Sequence, residues 1–140
     1  MSLRPPAPRP CESCPYRVDV PSAVWSFADY EKLRDYDDQH GPRMMQLFQC
    51  HQVDADSDQA RLCGGWVGCH GADSLGLRMA VLTGSMDPAV FAYESPVELF
   101  ASGNEAADHG QAEMDDPREA AVRLMNKIAR SRPGVIGVES

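Results

Sequence analysis

The sequence has no long apolar run and little basic charge for its length. No stretch of its 140 residues approaches the roughly 18 apolar residues that a membrane-spanning helix needs. The opening MSLRPPAPRP lacks the apolar segment of a secretory signal, so we expect a cytoplasmic protein without membrane association. The net charge is −8, and residues 1–116 carry 8 basic against 19 acidic side chains. This disfavours nucleic acid as a partner, except through the basic segment 117–140.

Several catalytic motifs are also missing. Pro10, Cys11 and Cys14 match half of the zinc deaminase motif, but no histidine is followed two positions later by glutamate, which excludes that chemistry. The same C-x-x-C pair occurs in thioredoxin-type redox proteins, where it lies between a strand and a helix. Here it follows a proline-rich arm, so the redox function is only an alternative. No phosphate-binding loop or nucleophile constellation is present.

Length and composition indicate one globular domain, residues 1–140. Hydrophobic residues make up 43% and charged residues 24%, which is enough apolar material for one core. We divide the chain into a proline-rich arm (1–10), a Cys/His metal-binding core (11–84) and a helical C-terminal extension (85–140) with an acidic, mobile linker at 101–116. The predicted fold is a mostly α, single-domain metalloprotein with an irregular cysteine-rich arm and a glycine-rich loop.

Hydrophobic periodicity and capping residues predict five helices. They are expected between Ser22 and Asp38 with Ser22 or Ser26 as the cap, from Pro42 towards Cys50, from Ser74 to Gly84, from the Ser95–Glu98 capping box, and after Asp116. The last helix is predicted to bury one face, formed by Ala121, Leu124, Met125 and Ile128.

The five cysteines carry the strongest functional signal. Their number is odd, and in a reducing compartment unpaired thiols more often serve metals or catalysis than disulfides. The two residues between Cys11 and Cys14 let one tight turn direct both thiolates at one ion. The preferred ligands are Cys11, Cys14, Cys50 and Cys69, with Cys63 as the alternate and His51 and His70 as further candidates.

A metal would also explain why the arm is ordered. A proline-rich segment with little apolar surface gains little by packing, whereas metal bonds would fix it to the helical body. Zinc is the preferred cofactor because a small structural zinc site contributes folding energy. A 4Fe-4S cluster is the alternative, since its cysteines are often scattered and Cys14-Pro15 resembles cluster-binding sequences.

The segments CESCPYRVDVPSAVW, FQCHQ and CGGWVGCHG resemble a cysteine-rich family of unknown function found in high-GC bacteria and their phages. The resemblance covers Cys11 to about Gly84 and implies no activity. It implies that the family pattern includes Cys11, Cys14, Cys50, His51, Cys63, Trp66, Cys69 and His70, together with Arg17, Asp19 and Trp25. We expect an Arg17–Asp19 salt bridge to orient the loop after the cysteine pair, and Trp25 and Trp66 to shield the metal.

These observations predict a metal-stabilised regulatory or protein-interaction module rather than an enzyme. Its acidic body and basic last helix are expected to contact a protein partner. Two alternatives belong to other classes: a C-x-x-C redox protein, and a metalloenzyme in which His51 or His70 lies beside an open coordination position.

Overall fold

The computed structural model describes residues 4–38, 41, 43–50 and 60–131. Its helices are α1 (Phe27–Asp35), α2 (Gly64–His70), α3 (Leu75–Leu82), α4 (Gly103–Gln111) and α5 (Glu119–Ser131), with short 3-10 helices at Gly71–Asp73 and Pro88–Ala92. Across these ranges there is no β-sheet, and isolated bridges pair Arg4 with Arg61, Arg17 with Leu99, and Gln49 with Leu62. The mostly helical fold is therefore confirmed. None of the helices described is long and apolar enough to cross a membrane.

Helix α1 begins at the second of its two predicted caps. The Ser26 hydroxyl accepts a hydrogen bond from Asp29 N at 3.1 Å, which satisfies one of the free amides of the first turn. Ser22 is engaged elsewhere and donates to the His109 carbonyl at 2.5 Å. Residues 22–25 consequently form a largely buried loop rather than a first helical turn.

The prediction of a mobile acidic linker at 101–116 is wrong, because α4 occupies most of it. Its small residues Gly103, Ala106, Ala107 and Gly110 recur at helical spacing and are buried against α1. A methyl group at Gly103 would overlap the carbonyl of Leu33, and one at Gly110 would overlap the ring of Tyr30. The glycines permit this close approach and do not make the segment a linker.

The prediction of a glycine-rich loop is also wrong, since residues 64–70 form α2. Glycine has low helix propensity, but here tertiary packing outweighs that cost. A methyl group at Gly64 would come within 2.7 Å of the Tyr93 hydroxyl, and one at Gly65 within 2.7 Å of Tyr16 Cβ. The glycines therefore serve close packing of a helix rather than a turn.

Two further helices are absent from the described residues, and both segments pair with other parts of the chain. Residues 43–50 form a turn and an extended segment, in which Cys50 N donates to the Arg61 carbonyl at 2.9 Å. The expected start at Pro42 lies outside the described residues. Segment 95–98 makes a local turn, and Val18 N donates to the Glu98 carbonyl at 3.2 Å. Long-range backbone pairing overrides the local helix signals in both places.

The other two predicted helices are confirmed. The Ser74 hydroxyl caps α3 by accepting from Leu77 N at 3.1 Å, and the chain leaves α3 through Gly84, whose φ is +85°. Helix α5 buries Ala121 and Ile128 as predicted, and Leu124 and Met125 pack against the core.

The cysteine-rich segment forms part of the hydrophobic core. Cys14 and Tyr16 are 1% and 0% exposed, and they pack with side chains from the helices. The same cluster includes Trp25, Tyr30, Leu33, Phe48, Leu62, Cys63, Trp66, Leu77, Ala106, Ala107, Ala121 and Ile128. The segment after residue 10 is therefore an integral part of the body of the protein.

Candidate metal centre

The Cys11–Cys14 segment folds into a tight turn. Cys14 N donates to the Cys11 carbonyl at 3.0 Å, and Arg17 N donates to the Cys14 carbonyl at 3.1 Å. The backbone N–H groups of Ser13 and Tyr16 also act on the sulfur atoms of Cys11 and Cys14, where each lowers the pKa of the thiol. Hydrogen bonds from backbone amides stabilise a thiolate, which is the form that binds metals.

Side chains from the following loop hold this turn in place. Arg17 binds both carboxylate oxygens of Asp19 at 2.8 Å and donates to the carbonyls of Pro10 and Cys11 at 3.0 and 3.3 Å. The indole N–H of Trp25 donates to the Ser13 carbonyl at 2.8 Å. The Arg17–Asp19 ion pair and Trp25 therefore orient the cysteine pair through its backbone.

Cys63 lies beside the pair although it is 49 residues from Cys14. Cys63 precedes α2, and its Sγ atom is 3.7 Å from Sγ of Cys14, both side chains being buried. The backbone N–H of Cys63 donates to the Phe48 carbonyl at 2.8 Å, which aligns segment 48–50 with 61–63. This pairing brings Cys50 to the same side of the molecule.

The four thiols form a chain of pairwise contacts. Cys11 interacts with the thiols of both Cys14 and Cys50, and Cys14 interacts with Cys63. Among the residues that the structure describes, no three Cys, His, Asp or Glu side chains surround a single point as a complete ligand group would. The four thiols therefore interact in a row, Cys50 with Cys11, Cys11 with Cys14 and Cys14 with Cys63, and do not form a closed coordination shell.

Burial and mutual interaction raise the pKa values of Cys11 and Cys14 in the absence of a cation. The pKa of Cys11 is raised to about 11, chiefly by its hydrogen bond to Cys14, while the hydrogen bond to Cys50 acts in the opposite direction. The hydrogen bond with Cys11 lowers the pKa of Cys14, but the bond to Cys63 and burial outweigh it, and this pKa lies well above its usual value. A positive ion among the thiols would reverse this balance.

Cys69, a preferred ligand in the sequence analysis, lies away from this group. It lies on α2, six positions after the capping residue Cys63, which corresponds to about 9 Å along a helix axis. Burial, followed by the charges of Asp37, Glu105 and Asp73, raises the pKa of Cys69 to about 12. Its environment is acidic side chains rather than other thiols.

His70 is directed at Asp37 rather than at the cysteines. His70 Nε2 is 2.7 Å from Asp37 Oδ1, an ion-pair distance, although Nε2 forms no aligned hydrogen bond within the described ranges. Both side chains are largely buried, so the two groups interact directly. Asp37 also accepts hydrogen bonds from Gly103 N and Asn104 N at 2.7 and 2.8 Å, so His70 belongs to the junction between α1, α2 and α4. The other candidate histidine, His51, lies outside the described residues.

Trp66 is 1% exposed on α2, where its ring packs edge-on against Tyr36 with centroids 5.9 Å apart. The neighbouring Gly65 faces the cysteine turn, and a methyl group there would overlap Sγ of Cys14. Helix α2 therefore closes the buried side of the thiol group.

A family model described as "Family of unknown function (DUF6283)" matches residues 6–132. The chain belongs to this family. No curated protein and no solved structure matches it. The family match extends beyond Gly84 to include α4 and α5, so the helical C-terminal part is as much a family feature as the cysteine segment.

Sequence reasoning missed a cavity on the outer side of the thiols. It has a volume of about 300 Å³ and is lined by Ala7, Arg9, Cys11, Cys50, Arg61, Leu62, Cys63 and Gly64. Arg9 adjoins the cysteine pair in sequence and Arg61 adjoins Cys63, but a basic residue near a cysteine is too common to predict a cavity. The backbone bridge between Arg4 and Arg61 brings the arm alongside segment 60–62 and creates this space.

Proposed function

We propose that this protein binds one zinc ion through Cys11, Cys14, Cys50 and Cys63, and that the ion joins the N-terminal arm to the helical body. The set differs from the sequence-based preference in one residue, because Cys63 replaces Cys69. Zinc bound by four thiolates is a structural site without an open coordination position. The proposal therefore concerns a metal-stabilised binding module rather than an enzyme.

The separation of Cys14 and Cys63 carries this proposal. Tetrahedral zinc with Zn–S bonds of about 2.3 Å requires neighbouring sulfur atoms about 3.8 Å apart. The Cys14 and Cys63 sulfur atoms are 3.7 Å apart, and the Cys11 thiol is close enough to those of Cys14 and Cys50 to affect its own pKa. A small rearrangement of the Cys11 and Cys50 side chains, which are only partly buried, would close the shell.

The backbone supports the same ligand set. Amide N–H groups of Ser13 and Tyr16 point at the sulfur atoms of Cys11 and Cys14, and such donors stabilise bound thiolates. Arg17 and Trp25 hold the carbonyl groups of the turn, so its geometry does not depend on local sequence preference alone. Preorganisation of this kind reduces the entropy that metal binding must overcome.

A 4Fe-4S cluster is the second candidate, and the cavity beside Cys11, Cys50 and Cys63 favours it. The cavity volume of about 300 Å³ exceeds what one ion needs. Each cysteine of such a cluster binds a different iron atom, so its sulfur atoms lie farther apart than those of a zinc site. The short Cys14–Cys63 separation is the reason for preferring zinc.

We also propose that the module contacts another protein. Helix α3 exposes Leu75, Met79 and Leu82 at helical spacing, with Leu82 80% exposed. Methionine and leucine at such a surface are typical of adaptable protein contacts. The metal would stabilise the scaffold that presents this face.

Metal analysis of protein purified from cells tests the ligand set. We expect about one zinc per chain and a colourless protein, whereas a brown protein that absorbs at about 400 nm would indicate a 4Fe-4S cluster. Replacing Cys63 with serine should abolish stoichiometric zinc binding. Cys69→Ser is the matched control from the same helical region and should retain the metal.

The opposite result, with loss of zinc in Cys69→Ser and retention in Cys63→Ser, would contradict the proposed set. Zinc content that is unchanged when all four proposed ligands are serine would contradict a metal centre at these residues.

A further inference from the structure

The cavity beside the thiols has an unusual lining for an acidic protein. Two arginines, Arg9 and Arg61, line it together with Cys11, Cys50 and Cys63. The chain has a net charge of −8 and only 13 basic side chains. Two of these therefore face the same small space as three of the proposed ligands.

A metal bound by thiolates would place negative charge beside this cavity, where a nearby positive charge would stabilise it. Four thiolates on one Zn²⁺ leave a net charge of −2, and a four-iron cluster with the same ligands is also negatively charged. Cys14 and Cys63 are 1% and 3% exposed, so much of this charge is shielded from water. Burying uncompensated charge is costly, and a nearby cation reduces that cost.

Arg17, the other arginine beside the turn, is already neutralised. Its guanidinium binds both carboxylate oxygens of Asp19, and its remaining N–H group donates to backbone carbonyls. Within the described part of the chain, by contrast, neither Arg9 nor Arg61 forms a salt bridge with a carboxylate. Arg17 chiefly, and Arg9 to a smaller extent, lower the pKa of Asp19, so Arg9 acts on that carboxylate from a distance without being paired to it.

We infer that Arg9 and Arg61 support the metal centre from the cavity side. Their positive charges compensate the negative charge of the thiolate-bound metal and strengthen metal binding without contacting the ion. This inference rests on the proposed metal site. It assigns to two residues a role that neither their sequence context nor the family match indicates. The open cavity lets both side chains approach the sulfur atoms after the metal is bound.

Competition for Zn²⁺ between the purified protein and a chromophoric chelator tests this inference. Arg9→Gln and Arg61→Gln should each weaken zinc binding about tenfold or more, as is typical for changes next to metal ligands, and the double variant should be weaker still. Arg61→Lys preserves the charge and should retain most of the affinity. Arg123→Gln removes the same charge from an exposed arginine of α5 that pairs with Glu119 and does not line the cavity, and this variant should bind zinc like the wild type.

The stability of the metal-free protein distinguishes charge compensation from a purely structural role of the two arginines. The metal-free protein has no thiolate-bound ion whose charge must be compensated, so Arg9→Gln and Arg61→Gln should leave its melting temperature unchanged while lowering that of the zinc form. High salt should reduce the difference in zinc affinity between the wild type and the arginine variants, since screening weakens charge interactions.

Wild-type zinc affinity in the double variant would overturn the role of the arginines while leaving the metal centre intact. Failure of the wild-type protein to bind zinc through its cysteines would instead overturn the proposed function, so the two failures are distinguishable.

Discussion

Gly65 shows at the level of one residue how α2 and the cysteine turn depend on each other. A methyl group at this position would overlap Sγ of Cys14 and lie 2.7 Å from Tyr16 Cβ. Both neighbours are fully buried, so neither can move without disturbing the core. The absence of a side chain at Gly65 is thus what allows Cys14 to approach Cys63.

We therefore predict that Gly65→Ala lowers the free energy of unfolding by about 1–3 kcal/mol through overpacking, and reduces zinc content as well. Denaturant unfolding and metal analysis would measure the two effects. Gly68→Ala is the control in the same helix, because a methyl group there meets only the flexible end of Leu99, at 2.5 Å. It should change stability by less than about 1 kcal/mol, since alanine also favours the helix. Equal losses in the two variants would contradict the close packing assigned to Gly65.

Asp37 connects three helices at the level of secondary-structure elements. It follows α1, its two oxygens accept hydrogen bonds from the first amides of α4, and it lies 2.7 Å from His70 at the end of α2. A helix N-terminus leaves free amides that a carboxylate satisfies especially well, because it also opposes the helix dipole. This junction lies beside Cys69 and gives His70 a structural environment.

We predict that Asp37→Ala lowers the free energy of unfolding by about 2–3 kcal/mol, because it removes two capping hydrogen bonds and the partner of a buried histidine. Urea unfolding followed by circular dichroism would measure this. Asp35→Ala is the matched control, since Asp35 makes only an exposed ion pair with Arg43 at 3.4 Å and should cost less than about 1 kcal/mol. A loss of metal in Asp37→Ala without a loss of stability would contradict the assignment and connect His70 to the metal centre.

The whole molecule has two parts that should respond differently to metal. Helices α1 and α4 pack closely through Tyr30, Leu33 and the small residues of α4. Helix α5 packs against the core through Ala121 and Ile128 and contacts the cysteine turn through a salt bridge between Lys127 and Glu12. The cysteine turn and α5 are therefore in direct contact.

We predict that removing zinc with a chelator increases hydrogen exchange in residues 4–20 and in α5, while exchange at the α1–α4 contact changes little. The reason is that metal bonds contribute the ordering energy of the turn, whereas the α1–α4 contact depends on apolar packing. Mass spectrometry of exchanged peptides would measure both. The variant with all four proposed ligands changed to serine should show the exchange of the metal-free protein with or without chelator. Unchanged exchange in α5 of the wild type would show that its docking is independent of the turn.

Local signals in the sequence were sufficient for several features. Capping hydroxyls at Ser26 and Ser74, the stop at Gly84 and the amphipathic pattern of α5 act over a few residues, so the sequence predicted α1, α3 and α5. The same signals failed where long-range contacts compete with them. Segments 43–50 and 95–98 pair with other extended backbone, and the glycines of α2 and α4 serve close packing rather than flexibility.

The sequence by itself determined that this chain is mostly helical, belongs to one family and concentrates its cysteines in one half. Only the tertiary structure decided which thiols meet, because Cys14 and Cys63 come together through backbone pairing across 49 residues, which no spacing rule describes. It also decided that Cys69 and His70, although adjacent to the pattern, face acidic groups on the far part of α2. Spacing shows which residues can share a turn, whereas a site formed from distant segments depends on how those segments pack.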